Sequence, residues 1–282
     1  MSSSRAHLRL VGMLLLIANI STAGAKDVVT ERGYERTTLD QELVGRVLVR
    51  TNLMLAGTGI RLEPSWQEDT SSGRGGFPVY LVKSASKVPE TPAAVPYGCR
   101  CVFVNPAVLA DWVTSNSQGS GRLELDRGNF LVFVLLHEAG HLAKSTPAAV
   151  FERGDMSQLN IEPSKAKAAE EEADDFAAEV LKRRARQAQV NEVSIDANWV
   201  LNELTKLSWN MQAFRSLDEF GAFAVGKPSV FFDNGYSHPN LAWRILRVNY
   251  LIQQSKEAQY LLDAFEDARR RGADPKPLYQ QK

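Results

Sequence analysis

His137-Glu138-Ala139-Gly140-His141 is the segment of this chain best equipped for chemistry. On a helix, residues four apart lie on one face a turn apart, so His137 and His141 can each point an imidazole at a common ion. Two neutral imidazoles are good zinc ligands, and Glu138 between them falls beside the metal, placed to take a proton from a water. From composition alone, with four histidines in 282 residues, the pattern H-E-x-x-H is expected about 0.003 times in such a chain. His7 lies in the N-terminal stretch, and the remaining histidine is His238, in Ser237-His238-Pro239.

A catalytic zinc takes three protein ligands and keeps one position open, so a further ligand must come from elsewhere. Glu170-Glu171-Glu172-Ala173-Asp174 offers three glutamates on one helical stretch. With Ala169, Ala173 and Val180 marking the apolar face, Glu170 and Glu172 flank it on opposite sides and Glu171 points away. Periodicity favours Glu170 over Glu172 only narrowly. Glu171 and Asp175 read as a solvated face.

Taken together, the His137 to His141 motif, the helix with Glu-x-x-Ala-Asp, and Ser-His-Pro followed by Arg244-Ile245 resemble the gluzincin zinc metallopeptidases. That family includes the CaaX prenyl protease, the HtpX quality-control protease and their soluble exported relatives. The resemblance spans about residues 95 to 250. It implies a zincin-like fold with one Zn2+ per chain, held by His137, His141 and Glu170, and Glu138 as general base. It also implies Asp174 and Arg244 as supporting residues behind the ligands. His238 matches the family's downstream histidine, which would stabilise the oxyanion or occupy the open zinc position. The implied reaction is hydrolysis of peptide bonds in unfolded or misassembled proteins. Val95-Pro96-Tyr97-Gly98-Cys99 stands where the family carries an Asn-Ala-Phe-Ala-like segment and a glycine pair. The strand Cys101 to Asn105 still follows, so substrate alignment by strand addition is expected there. Two other readings compete: a zinc-stabilised binding or chaperone-like protein with little turnover, and an ImmA/IrrE-type peptidase, whose Glu-x-x-Ala-x-x-Phe-Ala helix Glu170 to Ala178 also resembles. An export signal and Ser237-His238-Pro239 speak against the latter, because those enzymes are cytoplasmic.

The elements that must position these residues can be read from periodicity and punctuation. Arg5 and Arg9, the apolar run Leu10 to Ile20 and Ala23-Gly24-Ala25 form a signal-peptide pattern, so residues 1–25 are expected to be removed and the protein exported to the periplasm or secreted. Residues 26–282 then form a single metallopeptidase domain, with a helical extension from about 251. No other run approaches the ~20 apolar residues of a membrane helix. The formal charge is zero, and −2 without Arg5 and Arg9, a balance that points neither to nucleic acid nor to an anionic membrane. The expected partner is a protein or peptide substrate.

A capped helix is expected from Thr38-Leu39-Asp40-Gln41 to Gly57 or Gly59. Strands are expected at Ile60 to Trp66, Phe77 to Lys83 and Cys101 to Asn105, separated by turn-rich stretches at Thr70 to Gly76 and Val88 to Gly98. Thr114 to Gly121 reads as a flexible loop, and so does Gly226 to Ser237. The motif helix should run from about Asp126 to Lys144. Further helices are expected from Pro163 to about Arg184, between Asn191 and Phe220, from Pro239, and up to Arg271-Gly272. The fold class is therefore α+β, mostly helical, with a small sheet beside the motif helix. Cys99 and Cys101 read as two small side chains on one face of a strand. In an extended segment residues two apart lie near the upper limit of disulfide geometry.

Overall fold

In a computed structural model, described for residues 27–66, 76–84, 91–96, 98–144, 163–187, 191–212 and 239–271, the chain is mostly helical with one small mixed sheet. The helices are α1 (Val28–Glu31), α2 (Gln41–Leu55), α3 (Pro106–Ser117), α4 (Arg127–Lys144), α5 (Pro163–Ala185), α6 (Glu192–Gln212), α7 (Leu241–Gln253) and α8 (Lys256–Arg271). The strands are β1 (Tyr34–Arg36), β2 (Leu62–Pro64), β3 (Phe77–Ser84), β4 (Ala93–Ala94) and β5 (Val102–Val104). The α+β expectation holds at this level. The expected signal segment, residues 1–25, lies outside the described residues, among which no helix is long and apolar enough to cross a membrane.

β3 is the spine of the sheet. It pairs antiparallel with β1 (Arg36 opposite Val82) and parallel with β2 (Pro64 opposite Val79) and with β5 (Val79 opposite Val102). β4 closes the other side, antiparallel to β5, with Ala94 opposite Phe103. Alternation sets the two faces. Val79, Leu81, Val102 and Val104 point into the main core with α2, α4, α5, α6 and α7, whereas Tyr80, Val82 and Phe103 pack with Val29, Tyr34 and Cys101 on the reverse side. Tyr34 and Tyr80 both meet Phe103 edge-on, at 5.3 and 5.7 Å between ring centres.

Two expectations about this sheet are corrected. β5 is not an edge: β4 covers it, and β4 lies inside Val88 to Gly98, read from sequence as a turn-rich separator. A two-residue strand made by non-local pairing leaves no periodicity to read. Cys99 and Cys101 form a disulfide with Cα atoms 5.2 Å apart. The chain is not extended there: Gly98 takes φ +70°, the Cys99 N–H bonds back to the Pro96 carbonyl, and the chain bends at Arg100 and Cys101 before β5 begins.

The helices follow the apolar periodicity. α4 is buried on nearly every side from Phe130 to Leu142, as its continuous apolar run dictates, and so crosses the middle of the core. α2 begins where expected but without a side-chain cap: Asp40 adopts a left-handed conformation and pairs with Arg127 at the start of α4. Thr114 to Ser117 is the last turn of α3, not loop; Asn105 caps that helix on the Val108 N–H, and Pro106 takes its first position. α7 starts at Leu241, two residues past Pro239, because Asn240 caps it on the Ala242 and Trp243 N–H groups. α8 rests on α7 through a separate cluster of Trp243, Leu246, Leu262 and Phe265.

Candidate metal centre

α4 and α5 pack more closely than ordinary side chains would allow. A β-carbon built on Gly140 would lie 2.8 Å from the Ala173 Cα and 2.9 Å from its carbonyl oxygen. The pair of small residues therefore lets the two backbones approach directly, one residue before His141 and three after Glu170. That approach brings Glu170, 1% exposed, against the histidine face, while Glu172 is exposed and Glu171 half-buried. Of the two glutamates left open by periodicity, the structure places Glu170 at the site.

Three ligand residues converge there. His137 Nε2 and His141 Nε2 are 3.1 Å apart. Glu170 sets Oε2 3.3 Å from the first and Oε1 3.5 Å from the second. Tetrahedral coordination with bonds of about 2.0–2.1 Å separates its donors by about 3.3–3.4 Å, so these spacings fit an ion of zinc's size. The donor chemistry fits too. His137 Nδ1 contacts Asp174 Oδ1 at 2.9 Å, which fixes the ring with its proton on Nδ1 and the Nε2 lone pair facing the cluster. Two imidazole Nε2 atoms facing one another need a proton or a cation between them.

Charge balance leads to the same conclusion. Glu138, Glu170 and Asp174 are buried carboxylates, and the buried cation beside them is Arg244. Its Nη1 lies 3.1 Å from Glu170 Oε2, its Nε 2.7 Å from Asp174 Oδ2 and its Nη2 2.9 Å from Asp174 Oδ1. Among the described residues, three carboxylates against one guanidinium leave a formal −2 in a desolvated pocket, which a dication would cancel. Without an ion the groups adjust. Burial alone would lower the His137 pKa, but Asp174 and Glu170 raise it to about 10. Burial would raise Asp174, yet Arg244 and His137 hold it down at about 2. Burial pushes Glu138 up, against the pull of both histidines and the Val95 N–H that donates to its carboxylate.

Arg244, in the first turn of α7, bridges Glu170 and Asp174. No family model, curated protein or solved structure matches this chain. His238 lies outside the described residues.

Sequence reasoning missed the residues that shape the cleft around the centre. Thr91 to Val95, including β4, form one wall, and Leu241 and Ile245 of α7 form another. Trp112 of α3 and Phe130, Phe133 and Val134 of α4 close the rest. Asn105-Pro106 was the available signal for α3, a capping residue followed by proline. Val95 has no such signal: it lies in the short segment around β4 that lines the cleft.

Proposed function

We propose that this protein is a zinc-dependent endopeptidase with a zincin-like catalytic domain, in which Glu138 is the general base. The observation that carries the reading is the position of Glu138. It lines the same cleft as His137, His141 and Glu170, buried and one residue from a ligand, yet outside the group of three donor atoms. Bound there, zinc would supply a Lewis acid that acidifies water and polarises a carbonyl. Glu138 accepts the proton of the attacking water and delivers it to the leaving amine. Asp174 holds the His137 ring by its Nδ1 proton, and Arg244 bridges Glu170 and Asp174, offsetting one of their two charges, without entering the reaction.

β4, the strand lining the cleft, suits alignment of an extended substrate by strand addition, the role expected of Cys101 to Asn105. Unfolded or misassembled proteins are the substrate class that supplies such segments. The signal-like N-terminus and the Cys99–Cys101 disulfide both support action in an oxidising, exported location.

The test is digestion of an unfolded model protein by zinc-loaded protein, with Glu138→Gln alongside. Loss of a general base is expected to slow cleavage by roughly 10²–10⁴-fold while zinc content stays at one per chain. Equal activity in the two proteins would overturn the assignment of Glu138.

A further inference from the structure

α6 is apolar on two sides. Val200, Leu204 and Leu207 face the main core, while Ile195, Trp199, Asn202, Lys206 and Trp209 run along the outside at alternating spacings of four and three residues. That is the period of a helix packed along a partner helix. A helix that only closes a core is polar and charged on its outer face. Here Ile195 is 47% exposed, Trp199 56% and Trp209 41%. Exposed Leu123 adjoins one end of the stripe: its N–H donates to Asn210, next to Trp209, whose indole N–H donates to the Gly121 carbonyl. At the other end Arg50 pairs with Asp196, and exposed Leu53 follows Arg50 by about one turn of α2. Thus five of the eight large hydrophobic side chains exposed among the described residues gather on α6 and its flanks.

We propose that this face joins two copies of the chain, with their α6 helices antiparallel about a two-fold axis midway between Asn202 and Lys206. Charge selects the occupant. The stripe has no acidic residue, and its single cation, Lys206, is turned onto Glu203 and the Glu124 carbonyl. Beside it, Asn198 and Thr205 donate to the Ser194 and Leu201 carbonyls of their own helix. An anionic membrane, a nucleic acid or a charged segment would find no free charge to pair with. A surface rich in tryptophan and poor in charge is what protein interfaces bury. The complement of this one is neutral, aromatic at its ends and polar in its middle, and the stripe meets that description when reversed. Trp199, Asn202, Lys206 and Trp209 are spaced by three, four and three residues, the same in either direction. Antiparallel docking therefore sets Trp199 against the partner's Trp209 and Asn202 against the partner's Lys206, each contact made twice by symmetry. Lys206 uses two of its three donors within its own chain, leaving one for an amide oxygen. From Ile195 to Trp209 the face is about 21 Å long, which belongs to the smaller class of interfaces and to micromolar association. α6 contributes no residue to the metal cleft, so the pairing does not depend on the catalytic reading.

Sedimentation equilibrium of the zinc-loaded protein from roughly 1 to 200 µM tests this, and a monomer–dimer equilibrium within that range is expected. Trp199 is the most exposed side chain of the stripe, so Trp199→Glu leaves the core intact. It should weaken dimerisation by roughly thirtyfold or more at unchanged melting temperature and zinc content. A protein that stays monomeric throughout, or a dimer indifferent to Trp199→Glu, overturns the proposal. The register has its own test. Asn202→Glu, facing the partner's Lys206, should preserve the dimer, whereas Asn202→Arg should weaken it by roughly tenfold. Equal effects of the two would overturn the antiparallel arrangement.

Discussion

His137 carries a conflict through which the proposed zinc binding can be measured in protons. Its pKa is raised to about 10 in the absence of a metal, by Asp174 and Glu170 against the cost of burial, yet a ligand imidazole must give its Nε2 lone pair to the ion. Zinc must therefore displace a proton that His137 holds throughout the neutral range. Below about pH 10, each fall of one pH unit therefore costs about tenfold in apparent zinc affinity for one proton displaced. Competition against a chelator of known proton affinity from pH 6.5 to 8.5 checks this, and a pH-independent affinity would refute a protonated His137 in the apo protein. The Glu-x-x-Ala-Asp spacing exposed Asp174 in the sequence once the family pattern was applied. Arg244 was legible the same way, although it lies 107 residues from His137. Periodicity alone could not choose between Glu170 and Glu172, because the choice depends on how closely a second helix approaches.

At the scale of elements, that approach is controlled by Gly140. A methyl group there would meet the Ala173 backbone at 2.8 Å, and backbone cannot rotate away as a side chain can. Gly140→Ala should push α5 from α4 and carry Glu170 out of reach of the histidines. The expected cost is about 1–3 kcal/mol of stability by overpacking, read by urea denaturation, together with a loss of zinc affinity disproportionate to it. Unchanged zinc affinity in a folded variant would show that the ligands do not depend on this contact. The turn between β4 and β5 makes a second case. The Cys99–Cys101 disulfide closes a loop so small that its chain-entropy contribution is only about 1–2 kcal/mol. It also pins the turn that follows Val95, which lines the cleft together with Glu138. Replacing both cysteines by serine should lower kcat more than it lowers melting temperature; a proportional fall in both would make the bridge a staple alone. The long helices could be read because 13 to 23 residues of periodicity average out local noise. α1, β1 and β4, of two to four residues, could not: α1 is a single turn, too short for a period, and β1 and β4 exist through their pairing with β3 and β5.

For the whole molecule, the metal centre joins parts of the chain that share little else. His137 and His141 come from α4, Glu170 and Asp174 from α5, and Arg244 from α7. The unfolded chain offers no such arrangement, so an ion that binds only the folded state stabilises it by mass action. Zinc at a thousandfold excess over its dissociation constant would add about 4 kcal/mol. For a domain of this size, that converts to a rise in melting temperature of roughly 8–16 °C. In the metal-free protein three buried carboxylates face Arg244 and a protonated His137, a formal −1, which predicts the complementary effect: that protein should be destabilised around α4, α5 and the first turn of α7, with α2 and the sheet holding longer. Calorimetry with zinc and with a chelator reads the first effect, and hydrogen exchange resolved along the chain reads the second. Magnesium, which prefers six oxygen donors, should reproduce neither. Equal melting temperatures with zinc and with chelator would mean that His137, His141 and Glu170 are satisfied without an ion, and the catalytic reading would lose its foundation.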